Sequence, residues 1–211
     1  MLSGSKARIA VLVSGGGTNL QALIDAQQSG IIKSGEIKLV ISNNPDAYAL
    51  TRAANAGIAA ETITKRGCGS QEAFEAKLTE TLDAAGIDLI ILAGFMSILG
   101  AGFTKHFENR IINVHPALIP SFCGKGMYGL RVHEAALAYG VKVTGATVHF
   151  VNEIPDGGKI IAQKAVDILP DDTPETLQKR VMEQAEWILL PRAAEQVCAE
   201  LIKEQERIIL S

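Results

Sequence analysis

The sequence has few of the features that mark several large classes of protein. Its 211 residues include three cysteines and one tryptophan, and its net charge is −3. Cys68, Cys123 and Cys198 are widely separated and show no CxxC spacing, which argues against a disulfide framework or a zinc ribbon and indicates reduced thiols. A charge this close to zero provides no general attraction for nucleic acid or for an anionic membrane.

Long apolar runs are also missing. No run reaches the roughly 20 residues that a membrane-spanning helix needs. The N-terminal segment MLSGSKARIAVLV could be read as a signal peptide, but its apolar run leads directly into a glycine turn without a small-x-small cleavage site. We therefore expect a cytoplasmic protein that folds as a single domain over residues 1–211, with residues 1–7 flexible.

Segments with strand and helix patterns alternate along the first half of the chain. Near-continuous apolar runs, typical of buried parallel strands, occur at residues 8–13, 36–42, 88–93 and 110–114. Two alternating segments in the second half, residues 145–151 and 159–166, flank the turn PDGG and predict an antiparallel pair. The pattern predicts an α/β fold: a Rossmann-like, mostly parallel open sheet with helices on both faces and an antiparallel strand pair in the C-terminal half.

Helix-capping residues are visible at two places. Asp46 precedes a helical segment at residues 47–56 that stops at Gly57, and we expect it to cap that helix. Thr173 followed by Pro174 predicts the start of a long C-terminal helix, because Thr is a good N-cap and Pro fits the first helical position.

The segment SGGGTN, residues 14–19, lies between the first strand and the first helix. Its glycines allow the backbone to approach a ligand closely, and amides at a helix N-terminus can hold a phosphate. A dinucleotide fingerprint needs a glycine where Leu20 stands, and a P-loop needs a lysine that is missing. Two interpretations remain: a site for a single phosphate, which we favour, and a plain tight turn.

His115 comes directly after an apolar strand, in the segment INVHP. Asn113 lies two residues earlier, so both side chains point to the same face of the strand. The pair can be structural, or it can donate hydrogen bonds and handle a proton near neutral pH. Asp156, in the turn IPDGG, can be a turn former or a carboxylate that raises the pKa of His115 and keeps it protonated.

The other three histidines have less favourable positions. We expect His106, in a polar segment, and His133, on a helical turn, to be exposed, and His149 to be a strand residue held by structural hydrogen bonds. The sequence contains neither His-Glu-x-x-His nor the His/Cys spacing of zinc sites, and no Gly-x-Ser-x-Gly elbow. We therefore expect no bound metal and no serine-hydrolase chemistry.

Six segments together resemble the folate-dependent formyltransferase superfamily: SGGGTNLQALIDA, ISNNPDA, LAGFMSIL, NVHPALIPSF, GATVHFV and DGGKIIAQ. The N-terminal loop is similar to that of the branch that acts on glycinamide ribonucleotide. The resemblance implies transfer of a formyl group from 10-formyltetrahydrofolate to the amine of that ribonucleotide in de novo purine biosynthesis, without a covalent enzyme intermediate. The implied partners are these two small molecules, with no nucleic acid and no membrane, and the implied assembly is a monomer or a homodimer.

The resemblance also implies the site residues. Asn113, His115 and Asp156 match the catalytic residues, with Asn113 and a protonated His115 stabilising the oxyanion. The residues implied for the ribonucleotide are Gly17, Thr18, Asn19, Leu20, Gln21 and Glu186. The residues implied for the formyl-folate are Met96, Ser97, Ile98, Leu99, Asn113, Glu153, Ile154, Pro155, Asp156 and Gly157.

The chain departs from the family pattern at several positions. Ala117 stands where many members have Ser, and Ser97 and Gln71 stand where others place Arg near the folate. Trp187 follows Glu186 where His is common, and the spacing that leads to Glu186 is one residue longer.

Three other functions fit parts of the pattern less well. Hydrolysis of 10-formyltetrahydrofolate to formate is the main alternative. Formylation of an initiator aminoacyl-tRNA would call for a basic surface and a larger C-terminal domain. A non-catalytic phosphate-binding module would not need Asn113, His115 and Asp156 together.

Overall fold

The computed structural model describes residues 6–210 of the chain. Within the segment 1–7 that was expected to be flexible, residues 1–5 lie outside the described part, and Ala7 is already a buried residue of the first strand. In the described part, the strands are Ala7–Val13 (β1), Gly35–Ser42 (β2), Ala59–Thr62 (β3), Leu89–Leu92 (β4), Ile111–His115 (β5), Val143–Phe150 (β6) and Ile160–Asp167 (β7).

The helices alternate with these strands as far as β6, and the last two helices follow β7. They are Thr18–Gln28 (α1), Tyr48–Asn55 (α2), Lys65–Cys68 (α3), Gln71–Ala84 (α4), Ala101–His106 (α5), Leu130–Tyr139 (α6), Pro174–Val181 (α7) and Trp187–Leu210 (α8). A π-helical segment, Met182–Glu186, connects α7 to α8. In residues 6–210, no helix is long and apolar enough to span a bilayer.

All seven strands form one sheet in the order β3-β2-β1-β4-β5-β6-β7. Strands β1 to β5 are parallel, β6 is antiparallel to β5, and β7 is antiparallel to β6. The predicted α/β architecture is thereby confirmed. The strand order reverses between β1 and β4, and in open α/β sheets a crevice for ligands forms at the carboxyl ends of the strands beside such a reversal.

The core lies on both faces of the sheet, as the continuous apolar strands predict. On one face, Ile9 and Val11 of β1 belong to a cluster with apolar residues of α1 and α8. On the other face, Ala10 and Leu12 pack in a cluster with Phe74 and other residues of α4 and α5. Alternate residues of one strand thus enter two separate cores, and burying one large side chain contributes about 2 kcal/mol.

One of the two predicted helix caps is wrong. The residue before α2 is Ala47, and no side chain caps that helix. The amide of Asp46 instead donates to the side-chain oxygen of Asn44, so Asn44 organises the turn before α2. The cap of α7 is confirmed, since the Thr173 hydroxyl accepts a hydrogen bond from the amide of Thr176.

Candidate active site

The glycine loop after β1 is shaped by its contact with α2. Gly17 has a φ of 72°, and a Cβ atom there would lie 2.7 Å from the Cβ of Ala49. The amide of Ala49 donates to the carbonyl of Gly15, and Nε of Arg52 donates to that of Gly16. No side chain caps α1, so the amides of its first turn remain available to a ligand.

Strands β5 and β6 bring polar side chains together on one face of the sheet. The register pairs Asn113 with His149 and His115 with Thr147. Nδ1 of His149 donates to the carbonyl of Phe150 (2.8 Å), so Nε2 of the neutral ring carries the lone pair. That atom accepts a hydrogen bond from the Asn113 amide (3.2 Å) and thereby fixes the orientation of the amide.

Asp156 reaches this cluster from the turn after β6. The amide of Gly157 donates to the carbonyl of Ile154 (2.9 Å), which closes a turn in which Asp156 has a φ of 56°. Asp is one of the few residue types that tolerate this left-handed conformation. The next glycine is also required, because a Cβ atom on Gly158 would lie 1.7 Å from the carbonyl oxygen of Phe150.

The Asp156 carboxylate lies between the two histidines. One oxygen, Oδ2, is 3.6 Å from Nδ1 of His115 and accepts a hydrogen bond from the amide of Gly124 (2.8 Å). The other, Oδ1, is 3.6 Å from Nε2 of His149. Burial alone would raise the pKa of Asp156, but the two histidines and the Gly124 amide outweigh it and lower that pKa. Asp156 is therefore a charged carboxylate at neutral pH.

His115 is held so that one ring nitrogen stays available. Its Nε2 donates to the carbonyl of Phe122 (2.8 Å), which leaves the lone pair of the neutral ring on Nδ1. Burial lowers the pKa of His115, and Asp156 opposes this effect without overcoming it. This differs from the expectation of a protonated ring. Removal from water destabilises the charged ring more than the attraction of the neighbouring carboxylate stabilises it. Free His115 is neutral at pH 7.

Two cavities meet at this cluster. The loop-side cavity, of about 230 Å³, lies near the glycine loop and is lined by residues that include Asn19, His115, His133 and Glu186. The turn-side cavity, of about 140 Å³, is lined by His149 and by residues of the turn that carries Asp156. Asn113 and Asp156 line both cavities, whereas His115 lines only the loop-side cavity and His149 only the turn-side one.

Glu186 is a buried acid in the wall of the loop-side cavity. Its Oε2 accepts a hydrogen bond from the side-chain amide of Asn19 (2.7 Å). Burial raises the pKa of Glu186, and the hydrogen bond from Asn19 partly offsets this. Glu186 is the last residue of the π-helical segment. A π-helical turn contains more residues than an α-helical one, which is consistent with the longer spacing that leads to Glu186. Such segments are frequent at functional sites.

The structure brings most of the expected site residues to the two cavities. Met96 lines the loop-side cavity, although it was expected among the folate residues. The turn-side cavity is lined by the expected Ser97, Ile98, Leu99, Glu153, Ile154 and Pro155, but not by Gly157.

Three residues of the predicted phosphate segment have side chains directed elsewhere. The side chain of Leu20 is fully buried in the core, so only its backbone can reach a ligand. The side chain of Gln21 bonds to Asp25 and Arg52, and the hydroxyl of Thr18 donates to the sulfur of Met182. Thr18 and Gln21 also line a third cavity, of about 600 Å³, which lies between α1 and α8 and does not include the histidine cluster.

One histidine was predicted wrongly from the sequence, and another has a contact beyond the predicted one. His133 was expected to be exposed but is fully buried in α6, and it lines the loop-side cavity. His149 is hydrogen-bonded, as expected, but it also contacts the site directly. The sequence holds one signal for His133, which precedes the apolar Ala136 and Leu137 by three and four residues, whereas the pairing of His149 with Asn113 follows from the strand register.

Three of the residues that depart from the family pattern make hydrogen bonds in the structure. Ser97 accepts a hydrogen bond from the Asn43 amide, and Gln71 donates to the carbonyl of Ile98 (3.0 Å). Ala117 is fully buried, and its carbonyl accepts a hydrogen bond from the hydroxyl of Thr147 (2.7 Å).

Comparison with known proteins agrees with this fold. The chain belongs to the formyl transferase family, whose sequence profile matches residues 7–193. The phosphoribosylglycinamide formyltransferase of Escherichia coli is 40% identical over 176 residues, which cover 83% of this chain and 80% of the relative. A crystal structure of glycinamide ribonucleotide transformylase 1 from Symbiobacterium toebii matches with a TM-score of 0.87 and 42% identity, covering 94% of this chain and 90% of the other.

Some relatives are much longer proteins. The trifunctional purine biosynthetic protein adenosine-3 of Drosophila melanogaster is 46% identical over 196 residues, or 92% of this chain. The match spans only 14% of that protein. This chain therefore corresponds to one part of it.

Proposed function

We propose that this protein transfers the formyl group of 10-formyltetrahydrofolate to the amine of glycinamide ribonucleotide, giving formylglycinamide ribonucleotide and tetrahydrofolate. One observation carries the proposal: Asn113 and Asp156 lie in the wall that two cavities share, with His115 facing one cavity and His149 the other. A reaction between two bound molecules needs two binding cavities that meet at the reacting groups. The names of the relatives from Escherichia coli and Symbiobacterium toebii support the choice of substrate.

In this proposal the loop-side cavity binds the ribonucleotide. The uncapped amides at the start of α1 bind its phosphate, with the left-handed backbone of Gly17 setting the turn that leads into the helix. Glu186, held by Asn19, accepts hydrogen bonds from the ribose hydroxyls. The amine then lies at the end of the cavity formed by Asn113, His115 and Asp156.

The turn-side cavity binds the formyl-folate. Its apolar wall, with Leu92, Phe95, Leu99 and Val151, suits a flat pteridine ring. The side chains of Glu153 and Ile154 come from the turn that also carries Asp156, so folate binding and placement of the carboxylate are coupled. Ile98 and Ile154 are exposed at this cavity, at 69% and 58%, and would be covered by the ligand.

The reaction then follows from the positions of the polar atoms. The amine attacks the formyl carbon, and the Asn113 N–H not engaged by His149 donates to the developing oxyanion. The lone pair on Nδ1 of His115 accepts the amine proton, and the Asp156 carboxylate stabilises the imidazolium that forms. His115 then passes the proton to the folate nitrogen while the bond between that nitrogen and the formyl carbon breaks. The amine is the nucleophile, so no covalent enzyme intermediate forms.

The supporting experiment is an assay of the folate product. The protein is incubated with 10-formyltetrahydrofolate in the presence and absence of glycinamide ribonucleotide. We expect tetrahydrofolate only when the ribonucleotide is present. Formate release that does not depend on the ribonucleotide would instead identify a hydrolase.

A cytoplasmic location and a monomeric or homodimeric state stay part of this proposal. One relative's name places that relative in chloroplasts.

A further inference from the structure

His133 is a buried imidazole that the proposed reaction does not use. It lies in the first turn of α6 and is fully buried. Both of its ring nitrogens are buried, and neither has a hydrogen-bond partner within the described residues. Burial lowers the pKa of His133 to about 4, so the ring is neutral at pH 7.

A ring in this condition is costly to the folded protein. Buried polar atoms are nearly always hydrogen-bonded, and an unpaired one weakens the fold by the full loss of its contact with water. The neighbouring position, Val132, shows that this turn of α6 also accepts an apolar side chain in full burial. The next residue, His133, has two nitrogens that are unpaired within residues 6–210, and it therefore points to a partner outside them.

The position of His133 indicates where that partner binds. His133 lines the loop-side cavity together with Asn19 and His115. It is near enough to His115 for a charge on that ring to lower its pKa further. Asn19 lines the same cavity, and its Oδ1 is a further buried atom without a partner in the described part of the chain. Three polar atoms without a partner within the described residues thus belong to two side chains that line one cavity.

The chemistry of these atoms selects the part of the ligand. A neutral imidazole offers one donor and one acceptor, and the amide oxygen of Asn19 offers an acceptor. None of them carries a charge, so they suit neither a phosphate nor an ammonium group as principal partners. They complement hydroxyl and amide groups, which make up the middle of a ribonucleotide that carries a glycinamide.

We propose that His133 hydrogen-bonds the uncharged middle of the ribonucleotide substrate, between its phosphate and its reacting amine, and so determines affinity for that substrate. The proposal rests on the proposed function, because it takes the loop-side cavity to be the ribonucleotide site. His133 makes its contact away from the reacting atoms, so it affects binding of one substrate and not the transfer step.

The test compares three variants in steady-state kinetics. His133→Leu removes both hydrogen-bonding atoms, His133→Gln keeps a donor and an acceptor, and Val132→Ala is the matched control on the same buried turn. We expect His133→Leu to raise KM for the ribonucleotide about tenfold, the equivalent of about 1.4 kcal/mol. Its kcat and its KM for 10-formyltetrahydrofolate should change by less than about twofold. His133→Gln should recover part of the affinity, and Val132→Ala should lower stability without raising KM.

Two outcomes would overturn the proposal. One is a ribonucleotide KM in folded His133→Leu that equals that of the parent protein. The other is a parallel loss of kcat and of both substrate affinities in all three variants, which would assign His133 to packing alone.

A second measurement on the parent protein covers the case in which His133→Leu does not fold. The ring nitrogens of His133 are observed by nitrogen-15 NMR during titration with the ribonucleotide. We expect their chemical shifts to move as the cavity fills, and unchanged shifts at saturation would overturn the proposal. This experiment reads binding and not formyl transfer. A parent protein that binds the ribonucleotide without formylating it would contradict the proposed function and leave the His133 contact established.

Discussion

Replacing Asp156 with Asn removes one negative charge and keeps the size of the side chain. The carboxylate is 3.6 Å from Nδ1 of His115, and the side chains of Asp156 and His115 are 14% and 5% exposed. In the proposed reaction, Nδ1 of His115 gains the amine proton, so the ring becomes positively charged beside this carboxylate. The substitution therefore removes an attraction that exists in the transition state and is absent from the free, neutral ring.

The distance sets the size of the effect. Two unit charges 3.6 Å apart attract each other by about 1 kcal/mol in water and by about 5 kcal/mol at an effective dielectric constant of about 20. The pair is largely buried but borders two open cavities, so the loss lies between these limits. Since about 1.4 kcal/mol corresponds to a tenfold change in rate, we expect Asp156→Asn to lower kcat by about 10- to 10³-fold.

The assay is the dependence of kcat/KM on pH between 5 and 9 for both proteins. The neutral form of His115 is the active one, so activity should rise with pH through the pKa of His115, which burial places below its usual value. Loss of Asp156 lowers that pKa further, and the acidic limb should move to lower pH while the plateau falls. An acidic limb that stays in place would refute the coupling of Asp156 to His115. Activity that falls as pH rises through this pKa would show that the free ring acts in its protonated form.

Three other substitutions, one of them with a matched control, test separate parts of the site. Asn113→Ala should lower kcat by about 10²- to 10³-fold because it removes an oxyanion donor; a smaller loss in stopped assays would assign the oxyanion to other groups. Glu186→Gln should raise KM for the ribonucleotide and also raise Tm at pH 8, because it removes an acid whose pKa burial raises. The gain in Tm should shrink as pH falls towards the ordinary pKa of Glu, and a gain independent of pH would contradict this. Gly158→Ala should lower the free energy of unfolding, measured by urea denaturation, by about 3 kcal/mol, because the new Cβ clashes with a carbonyl. The control, Gly15→Ala, has no neighbour within 4 Å of its new Cβ and should have little effect.

Much of the fold could be predicted because four parallel strands are near-continuous apolar runs and the antiparallel pair alternates. Alternation also placed Asn113 and His115 on one face, since the side-chain direction along a strand is fixed by its period of two. The cap of α2 was wrong because Asp46 and Asn44 are both turn-forming residues, and the sequence does not show which of them the backbone uses.

The positions and the protonation of the histidines could not be predicted from the sequence. The position of His149 depends on the register between β5 and β6, and one residue of slip would turn it to the other face. The burial of His133 depends on which side of α6 meets the cavity, and the polar neighbours of that segment suggested solvent. The protonation state of His115 depends on burial outweighing a carboxylate, a balance between two large opposing effects that only the assembled site determines.

The most direct test follows the formyl carbon itself. The protein is given 10-formyltetrahydrofolate labelled with carbon-13 at the formyl group together with glycinamide ribonucleotide, and the products are analysed by NMR and mass spectrometry. The proposed chemistry at the shared wall predicts that the label appears as a formamide on the ribonucleotide, in an amount equal to the tetrahydrofolate formed. Label found as free formate, with the ribonucleotide unchanged, would contradict transfer between the two cavities.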